Sequence, residues 1–224
     1  MIRLSGVLII ISILSGSISV SAEWKLLKDQ DEIQVFSRHV KDSAYDEFKG
    51  VAIIAASLAS TLGVLDDIAA CPEWINYCDS SILLDDNGYD QRHVYQINDL
   101  PFPAANRDVV TEILISHEVA TRIITIKMTS RPDYYPRSKH VRIIRSDGIF
   151  QLVPVAEGRT QVVWQHHAEP GGVLPAFMTN SMIVDLPFKS LQAMRLLVQK
   201  DKYQQLKIDY DKDGNMVGLL HRTW

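Results

Sequence analysis

Short runs in which apolar and polar residues alternate fill most of this chain, and turn residues separate them. A period of two marks a strand with one buried face. Ile33, Val35 and Phe36 begin one such run, and 45–54 makes a second. Further strands are expected at 82–84, 93–97, 109–115, 141–144, 150–155 and 160–167. Asn87-Gly88, Asp147-Gly148 and Glu157-Gly158 stand where hairpin turns would join them. Residues 24–33 read as a short amphipathic start with Trp24 and Leu27 on one side.

Three segments depart from the period of two. Over 57–67, Leu58, Leu62 and Leu65 share a helical face behind a capping Ser57. Pro72 opens a short helix that carries Trp74. Beyond Pro170-Gly171-Gly172, the residues Leu174, Phe177, Val184, Phe188, Leu191 and Val198 recur at helical spacings. They predict a helix of about 25 residues, long against the usual helix. Pro187 removes one backbone donor and should kink it. Strands followed by one long apolar helix make the class α+β, a curved antiparallel β-sheet with the C-terminal α-helix on its concave side. That helix either fills the concavity or roofs a cavity.

The first residues change the picture. Arg3, an apolar core over 7–14 and the small residues Val20-Ser21-Ala22 read as a signal peptide over 1–22, with cleavage before Glu23. Ser12, Ser15, Gly16 and Ser17 interrupt the apolar stretch, which argues against a retained membrane anchor. An exported protein, periplasmic or secreted, is expected. Its remaining length suits one domain over 23–200, with a C-terminal extension over 201–224. The formal charge is −4 and the basic residues are scattered, so a nucleic-acid surface is not expected. Any membrane contact should be transient and mainly hydrophobic. Cys71 and Cys78 are the only cysteines; in an oxidising compartment they are either a disulfide or a pair of small buried hydrophobes.

Two blocks carry the strongest signal. Leu100-Pro101-Phe102-Pro103-Ala104-Ala105-Asn106-Arg107-Asp108 opens directly into a strand. Glu169-Pro170-Gly171-Gly172-Val173-Leu174-Pro175 precedes the last helix, where Asn180, Pro187, Leu191 and Arg195 follow in order. Together they resemble the steroidogenic acute regulatory protein-related lipid-transfer (START) family over about Trp24 to Lys200. The resemblance implies a helix-grip fold, in which the sheet wraps the last helix around an internal apolar tunnel. It implies a hydrophobic small molecule or lipid as partner, no cofactor, and a monomer. Glu169 stands where the family usually has Asp; its expected role is to fix the Pro-Gly-Gly corner by capping donors of the helix. Sterol-carrying relatives place a second arginine six residues after the first. Here that position is Ile113, so sterol specificity is not carried over.

The expected tunnel lining is Val94, Gln96, Val109, Thr111, Ile113, Trp164, His166, Phe177, Val184 and Phe188. Arg107 and Asp108 could be catalytic or a ligand clamp; the stronger reading makes them, with Glu169, Gly171 and Gly172, structural ties. His166 and His167 are adjacent on a strand and point to opposite faces, so they cannot share a metal ion. Asp209-Tyr210-Asp211-Lys212-Asp213-Gly214 begins like a calcium loop, but Leu220 stands at the twelfth position; a turn is the better reading. No Gly-x-Ser-x-Gly elbow, phosphate-binding glycine loop or metal-ligand spacing is present, and no metal or catalytic residue is expected. The alternatives to a carrier are an aromatase or polyketide cyclase-like enzyme with the same grip, or an interaction domain whose tunnel is filled by its own side chains.

Overall fold

The computed structural model describes residues 23–221 other than 173 and 175, without the side chains of 86, 176, 177, 180 and 181. The expected signal peptide and the side chain of Phe177 lie outside the described residues.

Three strands open the fold: β1 (Lys25–Gln30), β2 (Ile33–Arg38) and β3 (Glu47–Ile54). The chain then crosses through α1 (Leu58–Asp66), a 3-10 turn (Ile68–Ala70) and α2 (Cys71–Trp74). It returns as β4 (Cys78–Asp86), β5 (Gln91–Asn98), β6 (Arg107–His117) and β7 (Ile124–Ser130). The short β8 (Val141–Arg142), β9 (Arg145–Ala156) and β10 (Arg159–Glu169) complete the sheet before α3 (Ala176–Leu197). Last come α4 (Asp201–Gln204) and the hairpin β11 (Leu206–Tyr210) and β12 (Met216–His221).

The main sheet runs β1-β2-β3-β10-β9-β7-β6-β5-β4, antiparallel throughout, with β8 parallel to β6 at one end. The last strand of the returning meander therefore closes on β3, with Val163 opposite Val51. α3 lies on β2, β3 and α2. Gly50 of β3 makes that approach possible: a Cβ there would stand 2.9 Å from Leu191 Cδ1 and 3.0 Å from Pro187 Cβ. Beneath α3 the core is Ile33, Val35, Phe48, Phe150, Trp164, Leu191, Met194 and their neighbours. The cap read from Ser57 is present: its side chain accepts from Ser60 N and its carbonyl from Thr61 N.

Some expectations need correction. Residues 25–30 form an edge strand with both faces largely exposed, so they carry no alternation to read. β7 was not predicted, because the hairpin before it turns through Arg122 at φ 59 without a glycine. Asp147-Gly148 is not a turn: β9 runs straight through it. Gly148 instead leaves room, since a Cβ there would lie 2.5 Å from His166 Nδ1. The extension after residue 200 packs on α1, with Tyr203 and Leu206 part of the same core. The Asp-rich stretch is a turn, as its sequence suggested, in which Asp211 accepts from Asp213 N and Asn215 N.

Candidate functional site

Between the first half of α3 and the concave sheet lies a cavity of about 190 Å³. Thr179, Met182, Ile183 and Leu186 of α3 form its roof, and Phe48, Val109, Met128, Phe150 and Trp164 supply most of its apolar floor. A second cavity of about 100 Å³ continues toward α1, lined by Val94, Ile113, Ile115 and Ile126. Ile75, Gln96, Thr111, Met128 and Phe150 line both, so only side chains divide one chamber from the other.

Of the residues expected to line a tunnel, Val109, Trp164 and His166 face the larger cavity, Val94 and Ile113 the smaller, and Gln96 and Thr111 both. Val184 and Phe188 face neither. Phe188 is buried beneath β1, where Lys28 Nζ stands 3.6 Å from its ring centre. The apolar spacing along α3 merges two faces about 100° apart: one packs on the sheet edge, the other roofs the cavity.

Arg107 explains why the two sequence blocks belong together. Its side chain is buried, with Nε donating to Pro170 O at 3.4 Å, Nη2 to Gly171 O at 3.1 Å, and Nη1 to Ala105 O. Gly171 and Gly172 have φ of 64° and 62°, the left-handed region that glycine enters without strain. One guanidinium thus fastens the loop before β6 to the corner before α3. Among the described residues Glu169 accepts from Arg145 Nη1 at 2.8 Å. Asp108 meets Arg142 in a buried two-pronged pair at 2.9 and 3.1 Å, and also accepts from Tyr95 and Ser138. Burial pushes the Asp108 carboxyl up, but those hydrogen bonds outweigh it and hold it below the usual carboxylate range. Arg142 sits in β8, after a loop with two prolines; patterning marks a strand there but not the carboxylate it meets.

Polar residues also border the larger cavity, among them Asp46, Asn76, Gln96, Asn98, Ser146 and His166. His166 Nε2 meets Ser146 Oγ at 3.1 Å, and its ring stacks on Phe48 with centroids 5.8 Å apart. Burial, helped by neighbouring His167, lowers its pKa to about 4, so the imidazole is neutral at pH 7. Trp164 Nε1, Asn76 Nδ2 and His166 Nδ1 are buried without a hydrogen-bond partner. His167 lies on the opposite face of β10, buried, with Nε2 3.8 Å from Glu169.

The smaller cavity holds a charge pair that sequence reading missed. Arg92 Nη1 of β5 lies 2.8 Å from Asp66 Oδ1 at the end of α1, and both line the cavity. The pairing joins a helix to a strand distant in sequence, and no motif announces it. Asn76 was missed for a similar reason: its place is set by the Cys71–Cys78 disulfide, whose Cα atoms are 6.0 Å apart, and by donation from Asn76 N to Ser190 Oγ at 2.9 Å. Among the described residues no group of three or more His, Cys, Asp or Glu is placed to hold a metal ion.

Known proteins resemble this arrangement over most of its length. The START domain pattern matches residues 16–202. An uncharacterized protein of Pseudomonas aeruginosa is 31% identical over 183 residues, 81% of this chain and 90% of that protein. The crystal structure of a STAR-related lipid transfer protein fragment from Xanthomonas axonopodis superposes with a TM-score of 0.73 at 34% identity, covering 79% of this chain and 99% of that one. Human STARD10 superposes with a TM-score of 0.68 at 19% identity, over 80% of this chain and 74% of its own, a likeness of fold alone. The helix-grip geometry, the Arg107 clasp and these matches together establish that the chain belongs to the START domain family.

Proposed function

We propose that the chain carries one hydrophobic molecule, a lipid in the broad sense, between the concave sheet and α3, and leaves it chemically unchanged. The observation that carries this reading is the apolar cavity of about 190 Å³ under the first half of α3. Its relative from Xanthomonas is described as a lipid transfer protein, which supports the same reading. The volume is below the ~300–1,000 Å³ of most ligand pockets. Joined to the adjoining chamber once the dividing side chains turn, it comes close to the lower end of that range, and unbranched Met128 is the most adaptable of those side chains. Each methylene buried there contributes ~0.8 kcal/mol, so ten would offset a substantial cost of association. A catalytic reading calls for convergent titratable groups. Here the Arg107 donors go to backbone carbonyls, which favours holding over chemistry.

The second half of α3 is fastened to the sheet by side chains, and this supports a route for release. Arg195 fastens the second half to Ile53 O at 3.2 Å, Glu32 O at 2.9 Å and Asp31 O, and Gln199 reaches Ala55 O. The first half roofs the cavity and hangs from the corner that Arg107 holds. Pro187 leaves the carbonyl four residues before it without its helical partner, so the roof lifts about that point while the anchored half stays. In this reading opening happens at a membrane, by transient contact of a monomer.

We place the protein outside the cytoplasm. The leader pattern of 1–22 supports this, as does the Cys71–Cys78 disulfide, a bond that persists in oxidising compartments. Native mass spectrometry of the protein from its own host tests both parts. It should show a chain beginning at Glu23 with an apolar molecule bound. A chain that keeps residues 1–22 would end the export reading. Ligand-free protein that also takes up no fluorescent lipid would end the carrier reading.

A further inference from the structure

We infer that the deep end of the larger cavity recognises one uncharged oxygen of its ligand, a hydroxyl or a carbonyl, through Trp164, Asn76 and His166; the inference rests on the carrier reading above. Trp164 is 4% exposed, and its Nε1–H, which can only donate, meets no acceptor. Asn76 Nδ2 is a second buried donor without a partner, and His166 Nδ1 a third unpartnered nitrogen. All three residues line the same cavity.

Their neighbours place them at one level. Trp164 is paired with Gly50, on which Pro187 and Leu191 of α3 rest. Asn76 is tied by its own amide to Ser190 of the same helical turn. His166 is the next inward position on β10, its ring centroid 6.2 Å from that of Trp164. A buried donor left unmet costs ~1–3 kcal/mol, so native proteins contain few of them. Two unmet donors and one unmet ring nitrogen in the wall of one chamber mark an unfilled hydrogen-bonding site.

The chemistry of the missing partner follows from the set. Trp164 and Asn76 both donate, so the ligand atom must accept. It is uncharged because nothing at this end compensates a charge. Arg107, which borders the same cavity, holds Pro170 just past the end of β10 and has its donors committed to carbonyls. His166 is neutral at pH 7. An anion buried here would lose its hydration without a counter-ion. A hydroxyl would both accept from the two donors and give its proton to His166 Nδ1; a ketone would serve only the donors.

Displacement of a bound fluorescent fatty-chain probe by 1-decanol, 2-decanone and decane separates these effects. Against the parent protein, decanol or decanone should compete about fivefold better than decane, the worth of one net hydrogen bond. A lead of decanol over decanone would identify His166 Nδ1 as the acceptor; parity would assign the site to the two donors. Trp164→Phe, which keeps the ring and loses the N–H, should abolish the advantage while decane competes as before. Asn76→Ala gives the same test at a less buried position should Trp164→Phe fail to fold. In parallel, the indole N–H resonance missing from Trp164→Phe should move downfield when decanol, but not decane, is added to the parent. Equal competition by all three compounds would overturn the subsite and leave the carrier reading standing, with water serving the donors. Equal loss of decanol and decane in both variants would also overturn it, as a structural effect. Failure of the probe itself to bind would remove both readings.

Discussion

Adding one methyl group to β3 at Gly50 should loosen the grip of the sheet on α3. The new Cβ would lie 2.9 Å from Leu191 Cδ1 and 3.0 Å from Pro187 Cβ, whereas carbon atoms settle at ~3.5–4.0 Å. Either α3 withdraws by roughly 0.5–1 Å or Leu191, fully buried, leaves its rotamer. Overpacking of this kind costs about 1–3 kcal/mol. Replacing glycine returns roughly 0.4–1 kcal/mol by restricting the unfolded chain, because Gly50 has ordinary strand geometry. Gly50→Ala should therefore lose about 1–2 kcal/mol in urea unfolding, with an unchanged m-value. Leu191→Ala alone should cost about 2–5 kcal/mol by leaving a cavity. In the double variant the added methyl occupies part of that space, so the pair should be at least ~1 kcal/mol more stable than the two losses combined, with Pro187 keeping the relief incomplete. Additivity within ~0.5 kcal/mol, or a Gly50→Ala protein as stable as its parent, would refute the claim that this glycine sets the helix–sheet distance.

Arg107→Met should cost roughly 2–4 kcal/mol in the same assay, since three carbonyls lose a charged donor, and Arg107→Lys should restore little because one ammonium cannot span Ala105, Pro170 and Gly171. His166 gives a pH signature: its pKa is about 4 when folded against ~6.5 unfolded, so the unfolded chain binds more protons between those values. Stability should be complete above about pH 6.5 and fall by about 2–3 kcal/mol as pH drops toward 4; denaturant midpoints should show this slope removed in His166→Gln, and an unchanged slope would refute it. Ile113→Arg would set a second cation directly across from Arg92 in the smaller chamber. It should reduce both stability and uptake of a fluorescent lipid, while Lys139→Glu on an exposed loop should leave uptake as it is; equal uptake by Ile113→Arg would show that this chamber is not used.

How much of this was legible in the sequence depends on whether the cause was local. Alternation disclosed the half-buried strands, and Ser57 disclosed the start of α1, because each answers to neighbours within a few residues. The link between Arg107 and Gly171 was legible only as two blocks in a familiar order; the clasp itself joins atoms 64 residues apart. β1 gave no pattern because an edge strand with two exposed faces has none to give. Gly148 misled for a physical reason: Asp-Gly ordinarily marks a turn, yet here the missing side chain accommodates an imidazole from the next strand. The period along α3 was real, but periodicity cannot say which apolar face meets protein and which meets a cavity. Val184 and Phe188 were assigned to the wrong one. Asn76, Arg92 and Asp66 were invisible because each is placed by a partner distant in the chain.

The strand order has a consequence for how the molecule is made. The first three strands cannot finish their sheet until β10 has emerged, and Thr160 reaches the Ala56 carbonyl across 104 residues. Until then β3 is an open edge, and the apolar faces of Phe48 and Ala52 have no cover. Loop closure over such a span precedes the contacts that reward it, so the slow step in folding should be the joining of this seam. Trp164 and His166 lie on that seam opposite Gly50 and Phe48. A nascent chain stopped short of β10 lacks both that strand and α3, the wall and roof of the larger chamber, so the capacity to hold a ligand arises in one late event.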